Sequence, residues 1–250
     1  MLIRTVLLLC VGAAVLGNCK VAHAGPLPVD ESLVEIMMDA QQSFIVSLLE
    51  AFGSDAGNTL SFSTQTDFAA GTFSYTADPG STYQGMLLNF TESGSSDVLG
   101  NATYSGSGTI GGMEILASGS NVVVGDPEYD YTDTIKINGV EYKVVGKNKV
   151  FFGTPSTSEA TLTANGKNYK GVDTLQARPG GIKYTWAIES DPIPDKPGLR
   201  GNASGEIDPT NGIGLFEVST TPVPEPSTVW TTITGVMTLC SLQRMRRRRP

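Results

Sequence analysis

The strongest constraint on the fold is an alternating hydrophobic pattern, interrupted by turn residues, that runs from about residue 58 to about residue 219. The clearest segment is DTIKINGVEYKVV, where apolar side chains alternate with polar ones on both sides of Asn138-Gly139. Asn-Gly suits the two positive φ values of a type I′ turn, so the segment predicts a β-hairpin. ATLTANGKNYKGV predicts a second hairpin around Asn165-Gly166. A continuous antiparallel series of this kind predicts a mainly β fold, either a β-sandwich or a Greek-key barrel.

One segment before the strands has helical periodicity instead. Asp30 can cap the run SLVEIMMDAQQSFIVSLLEAF, and Gly53 is a good stop. The pattern predicts one N-terminal amphipathic helix at about residues 30–52. We expect it to pack across the sheet or to plug one end of it. The alternative, a helix that binds a partner or a membrane surface, does not suit an anionic membrane, because the polar face has no Lys or Arg.

The first 24 residues have the three parts of a secretory signal peptide. A basic residue precedes the apolar run Val6–Leu16, and small residues at Ala22 and Ala24 mark a signal peptidase site after Ala24. A membrane anchor is the alternative, but the run is shorter than the roughly 20 residues that span a bilayer. A lipoprotein signal ending at Cys19 is a minor alternative.

Cysteine and histidine are confined to the ends of the chain. The three cysteines are Cys10, Cys19 and Cys240, and the single histidine is His23. The stretch 25–220 therefore excludes disulfides, Cys/His zinc sites, and catalytic triads or dyads that need His. Any metal site there would use oxygen ligands, which favours Ca²⁺ or Mg²⁺.

The charge distribution is acidic. The whole chain carries a formal net charge of −8, and no Lys or Arg occurs between Gly25 and Ile135. Nucleic-acid binding depends on basic residues, so nucleic acid is not an expected partner. Residues 25–220 are long enough for one domain with a substantial core, and we interpret them as a single β-rich extracellular domain.

The C-terminal residues 221–250 combine three features in a fixed order. A short proline-rich motif comes first, then the apolar segment Val229–Leu242, then a basic cluster. The motif residues are Val223, Pro224, Glu225, Pro226, Ser227 and Thr228. The cluster residues are Arg244, Arg246, Arg247, Arg248 and Arg249. An apolar segment partitions into a membrane, while flanking arginines stay on the cytoplasmic side.

This order resembles the PEP-CTERM sorting signal, the address of proteins that exosortase handles in Gram-negative bacteria that make exopolysaccharide. The resemblance covers about the last 28 residues. It implies export through the inner membrane, transient anchoring by a transmembrane helix, cleavage near Pro226, and a final place at the cell surface or outside the cell. Signal peptidase and exosortase are the implied partners during export. It implies nothing about the β-domain.

The apolar segment departs from that pattern in length. Val229–Leu242 contains fourteen residues and four threonines. As a helix it would span about 21 Å, against a hydrocarbon core of about 30 Å, so it needs local thinning or help from flanking residues. The alternative is a basic tail on a secreted protein.

An acidic stretch offers a candidate Ca²⁺ site. GDPEYDYTDT places Asp126, Glu128, Asp130 and Asp133 within eight residues, and alternate carboxylates in a loop can surround one calcium ion. The stretch lacks the glycine and the terminal glutamate of an EF-hand loop. The alternative is a solvated acidic turn.

Two further functions depend on side chains whose positions the sequence does not fix. Aromatic residues that face solvent could stack on sugar rings, although most aromatics on alternating strands belong to a core. The candidates are Tyr75, Tyr83, Tyr129, Tyr131, Tyr184 and Trp186. Polysaccharide hydrolysis would need two carboxylates facing a sugar site. We expect a non-enzymatic structural or adhesive protein of the exopolysaccharide matrix, with a carbohydrate-binding module, assisted by Ca²⁺ or not, as the alternative and an enzyme third.

Overall fold

The computed structural model describes residues 31–55, 58–125, 128–193 and 197–223. These residues form one α-helix and thirteen β-strands. The elements are α1 (Glu31–Phe52), β1 (Asn58–Asp67), β2 (Thr72–Ala77), β3 (Thr82–Tyr83), β4 (Met86–Ser96), β5 (Ala102–Ile110), β6 (Met113–Gly125), β7 (Glu128–Ile137), β8 (Val140–Phe151), β9 (Ser156–Ala164), β10 (Lys167–Arg178), β11 (Gly181–Ser190), β12 (Gly198–Ile207) and β13 (Ile213–Val223).

The strands close into an antiparallel barrel. Each strand from β4 to β12 pairs with the next one along the chain, and β2 pairs with β1 and with β4. The barrel closes where Asn58 to Gln65 of β1 pair with Ile213 to Thr220 of β13. Twelve of the described strands form the wall, while the two-residue β3 pairs with the start of β4. Closure pairs the first wall strand with the last, so neither is left as an open edge.

The mainly β fold with one N-terminal helix is confirmed, but the predicted connection pattern differs from the structure. Strands that follow each other in sequence are neighbours in space, so the architecture is an up-and-down barrel rather than a sandwich or a Greek key. All three architectures show the same period-two alternation, so strand patterning alone could not separate them.

Both predicted hairpin turns are confirmed by their backbone angles. Asn138 and Gly139 have φ values of 50° and 80°, and Asn165 and Gly166 have values of 49° and 78°. These are the positive angles that a type I′ turn requires at both central positions. Tight turns of this kind hold consecutive strands in register and leave little freedom for other pairings.

The helix runs through the barrel lumen. Every residue from Leu33 to Leu49 is buried. The helix ends as predicted at Gly53, whose φ is 76° and whose N–H donates to the Leu49 carbonyl at 2.8 Å. The predicted helix is present, but its predicted place across a sheet or at one end of it is wrong. Its polar side chains face a polar lumen instead of water. Asp30 lies outside the described residues.

Aromatic packing joins the middle of α1 to the wall. The Phe44 ring stacks on Phe90 with centroids 4.1 Å apart and meets Phe62 edge-on at 6.3 Å. Phe62 also contacts Tyr75 and Phe216. Buried aromatic pairs add about 0.5–1.5 kcal/mol each beyond the burial of their area. This cluster fixes the position of the helix along the lumen.

The last strand extends past the predicted domain boundary. Leu199 pairs with Pro222 and Gly198 with Val223, so residues 221–223 belong to β13 and not to the tail. The predicted strand region therefore ends at residue 223 instead of 219. The rest of the predicted tail and the predicted signal peptide lie outside the described residues.

Candidate functional site: the polar lumen around the helix

The middle of the lumen contains five buried carboxyl groups, which we call the lumen carboxyls. They are Glu35, Asp39, Glu92, Asp133 and Asp173, and each side chain is at most 6% exposed. Two come from α1 and three from strands β4, β7 and β10. Lys167 is the one Lys or Arg that is buried among the described residues, and its ion pair is with Glu50, which is not one of the five. The lumen carboxyls are therefore held without an ion pair that the described residues provide.

Asp39 lies at the centre of the group. Asn121 on β6 donates from Nδ2 to one carboxyl oxygen at 3.0 Å, and Asn148 on β8 donates to the other at 3.1 Å. Burial raises the pKa of Asp39 well above its usual range, and the nearby charges of Asp173 and Glu35 raise it further. The Asn148 hydrogen bond acts in the opposite direction and is outweighed.

Asp173 on β10 is held in a similar way, by one side chain of the helix and one of the wall. Gln42 of α1 donates from Nε2 to Oδ1 at 2.6 Å, and the Ser158 hydroxyl donates to Oδ2 at 3.2 Å. Burial raises the pKa of Asp173 to about 7 despite these donors. A helix side chain thus bonds directly to the wall, which sets the rotation of α1 about its own axis.

Asp133 and Glu92 lie beside buried tyrosines. Burial raises the pKa of Asp133 to about 7, while the Ser43 and Tyr104 side chains lower it. Burial and the charge of Asp133 together raise the pKa of Glu92 to about 8, and Tyr75 lowers it. These pKa values leave part of the group protonated near neutral pH, which lowers the cost of burying several acids together.

A glycine on the neighbouring strand makes room for Asp133. Gly119 pairs with Asp133 across β6 and β7, and a Cβ atom at Gly119 would lie 1.8 Å from Asp133 Oδ1 and 2.2 Å from the Tyr104 ring. No side chain larger than hydrogen fits at that separation. Gly119 is therefore part of this site, because it creates the space that the carboxyl group and the ring occupy.

A different arrangement handles the buried acid at the other end of the helix. Lys167 Nζ lies 3.4 Å from Glu50 Oε1, and these side chains are 4% and 2% exposed. The Tyr169 hydroxyl also donates to Glu50. A buried ion pair with a further hydrogen bond compensates both charges at the site. Here the acid is paired with a cation, whereas Asp39 and Asp173 accept hydrogen bonds from amides and a hydroxyl.

The predicted Ca²⁺ ligands are not brought together. Glu128 and Asp130 form ion pairs with Lys149 at 3.0 Å and Lys147 at 3.7 Å, and these side chains are about half exposed or more. Asp133 faces the lumen, and Asp126 lies outside the described residues. The stretch from Glu128 is a strand, so residues of opposite parity point to opposite faces. Among the described residues, no group of three or more potential ligands could hold a metal ion.

Five of the six candidate sugar-stacking aromatics belong to the core, as alternation on the strands favours. Those five are at most 1% exposed and belong to the core: Tyr75, Tyr83, Tyr131, Tyr184 and Trp186. Tyr129 is half-buried near the start of α1. Alternation places these rings on the lumen side of the wall, where the helix covers them.

Most of the predicted sorting and processing residues lie outside the described residues. The exception is Val223, the last residue of β13. The helix in the described part of the chain lacks the combined length and apolar character needed to cross a bilayer. The predicted membrane segment Val229–Leu242 is outside that part.

Four of the five lumen carboxyls were not predicted from the sequence, and Asp133 was predicted to have a different role, as a Ca²⁺ ligand. The strand alternation could have indicated one of them, because Asp173 has the same parity as the buried Tyr169 and Leu175 and so faces the same side. Asp39, Gln42 and Ser43 likewise interrupt the apolar run in the middle of the helix. Polar residues at positions that a pattern marks as buried indicate a polar core.

Comparison with known proteins adds no relative: no family model, no curated protein and no solved structure matches this chain.

Proposed function

We propose that this protein is an exported component of the cell surface or extracellular matrix, which an exosortase-type system sorts and cleaves. Its barrel has a non-enzymatic structural or adhesive role in an exopolysaccharide setting. The observation that carries the proposal is the order of features after the last strand. The Pro-Glu-Pro motif begins one residue after Val223, and the apolar segment and the arginines follow it.

The position of β13 suits a cut in that motif. Pro222 and Val223 are the last residues that pair with β12, and the β1–β13 pairing that closes the barrel already ends at Thr220. A cut near Pro226 would therefore remove the tail without breaking a ladder hydrogen bond of the described barrel. The processed product would keep its closed wall.

Two properties of the barrel favour a structural or adhesive role over catalysis. The helix occupies the lumen between the buried acids, and the side chains from Leu33 to Leu49 are buried on every side. A polysaccharide chain could not reach a pair of lumen carboxyls without displacing α1, whereas glycosidases need a sugar between two carboxyls. Closure of the wall removes open strand edges, which suits a protein that must stay soluble outside the cell.

The experiment is intact-mass spectrometry of the protein from the cell-surface and medium fractions of its native host. We expect a species that starts at Gly25 and ends near Pro226. Replacing Arg246, Arg247, Arg248 and Arg249 with Gln should reduce processing, because the basic cluster holds the tail in the membrane. The matched control is Arg178→Gln on the exposed end of β10, which should be processed normally. Extracellular protein that still carries residues 229–250 would overturn the proposal.

Carbohydrate binding remains a second candidate because of one groove. A polar depression of about 760 Å³ lies across β1, β2, β4 and β5 on the outer wall, and hydroxyl groups line most of it. The lining includes Thr72, Ser74, Ser93, Ser95, Thr103 and Ser105, together with Asp67. Binding of host exopolysaccharide that Ser93→Val weakens, and that Ser118→Val on the neighbouring outer wall leaves unchanged, would favour this function. Equal binding by both variants would count against it.

A further inference from the structure

A cavity of about 370 Å³ lies at the mouth where α1 enters the barrel. It is bounded on one side by the first two turns of the helix and on the other by the ends of the wall strands. Most of its lining is apolar: Ile36, Leu99, Val123, Val150, Phe152 and Leu175. Its volume lies within the usual range for pockets that bind small molecules, roughly 300–1,000 Å³.

The polar side of this cavity is acidic. Glu31 and Glu35 line it, and none of its described lining residues is Lys, Arg or His. Glu35 is 6% exposed, and burial raises its pKa to about 7 although the Tyr129 and Ser158 side chains lower it. Glu31 accepts a hydrogen bond from the Ser156 hydroxyl at 3.5 Å. A buried carboxylate in an apolar site is stabilised by a cation, which the lining of the cavity does not supply.

The rim of the same cavity carries exposed apolar side chains. Val98, Leu99 and Phe152 are 100%, 72% and 75% exposed, and all three border the cavity. Single exposed apolar residues are ordinary, but large ones grouped around a concave opening are typical of a binding site. A ligand with an apolar body would remove this surface from water.

We propose that the mouth cavity binds a small amphipathic amine, with its ammonium group at Glu35 and its apolar body against Val123, Val150 and Phe152. The charge of the lining selects the cation, because an anion would meet two carboxylates and no base among the described lining residues. The apolar walls select a ligand with a hydrocarbon or aromatic body over a small inorganic cation. This inference does not depend on the proposed sorting by the tail.

The experiment measures binding by isothermal titration calorimetry with the purified full-length protein at about pH 8, where Glu35 is largely ionised. The probes are hexylamine, hexanol and hexanoate, which share a hydrocarbon body and differ in head-group charge. We expect hexylamine to bind about tenfold or more tightly than hexanol, with no binding of hexanoate.

Two variants test the assigned contacts. Glu35→Gln keeps the shape and removes the charge, so it should weaken hexylamine binding about tenfold while leaving hexanol binding within about threefold. Val150→Phe fills the cavity and should abolish binding of both probes. Glu217→Gln on the outer face of β13 is the matched control and should bind like the native protein. Thermal unfolding of each variant separates loss of a site from loss of folding.

Three results would overturn the proposal. One is equal affinity for hexylamine and hexanol, and another is native hexylamine affinity in Glu35→Gln. The third is that hexylamine binds only after residues 25–29 are removed, because the cavity would then belong to the chain's own N-terminal segment.

Discussion

The C-terminal end and the middle of α1 lie beside buried acids that are held in two different ways. Near its C-terminus the buried acid Glu50 lies beside Lys167 and Tyr169, so a cation and a hydroxyl compensate its charge. In the middle of the lumen, Asp39 and Asp173 accept hydrogen bonds from amides and a hydroxyl, and burial raises the pKa values of the lumen carboxyls. A cation compensates the charge of one buried acid, whereas raised pKa values make the burial of the others depend on pH. One continuous lumen therefore combines an acid held by an ion pair with acids whose burial is sensitive to pH.

The largest expected effect comes from breaking the pair at the C-terminal end. Lys167→Met leaves Glu50 buried without its cation and should lower the free energy of unfolding by about 3–5 kcal/mol. Urea denaturation at neutral pH measures it. Lys170→Met, three residues along the same strand and exposed, should change stability by less than about 0.5 kcal/mol. The double variant Glu50→Gln/Lys167→Met should recover part of the loss, and no recovery would mean that Lys167 stabilises the barrel through packing alone.

The next effect is a pH dependence of stability that the lumen carboxyls create. The folded pKa values are about 7 for Glu35, Asp133 and Asp173 and about 8 for Glu92, all above the values of 3.8 to 4.5 for the free side chains. Between about pH 4 and pH 8 the folded state therefore binds more protons than the unfolded state. Stability is greatest at the acidic end of that window and falls as the pH rises, by up to about 1.4 kcal/mol per pH unit for each group.

Urea denaturation at several pH values across that window tests the sign. We expect the denaturation midpoint to fall as the pH rises. A midpoint that rises over the same window would show that the lumen carboxyls are charged and stabilised in the folded state.

A smaller effect isolates one lumen carboxyl. Asp173→Asn replaces the acid with a neutral side chain of the same shape, so the variant should show a flatter pH dependence than the native protein. At about pH 8 it should be more stable than the native protein by on the order of 1–2 kcal/mol. The amide stays neutral, whereas the native carboxyl must lose a proton and become charged in a buried site. The amide can still accept from either Gln42 or Ser158 through its oxygen. A variant that loses stability equally at every pH would indicate that both carboxyl oxygens are needed as hydrogen-bond acceptors.

The smallest expected effect is on the outer wall. Arg200 donates to Glu189 at 2.7 Å, but both side chains are 46% exposed. Glu189→Gln should lower the free energy of unfolding by no more than about 1 kcal/mol, since exposed ion pairs contribute little. Adding salt to about 0.5 M should reduce even that difference, because salt screens exposed charges. A loss comparable to that of Lys167→Met would remove the contrast between buried and exposed pairs.

Local features of the fold were predictable where the chemistry is local. Asn138-Gly139 and Asn165-Gly166 form the predicted turns because few other residues adopt two positive φ values, and Gly53 ends the helix for a related reason. The polar lumen was less visible. Asp173 shares strand parity with the buried Tyr169. A single polar residue at such a position has two explanations: a polar partner in the interior, or an error in the predicted strand.

By itself the sequence determined the strands, the turns, the helix and its end, because periodicity and backbone preferences act over a few residues. It also carries the tail on which the proposed sorting rests. Only the tertiary structure decided that β1 pairs with β13, that α1 runs through the lumen, and that Asp39 on the helix meets Asn121 and Asn148 on the wall. Those contacts join residues from about 80 to more than 150 positions apart. They depend on barrel closure, which brings side chains from distant strands into one interior. No short segment of the sequence encodes that closure.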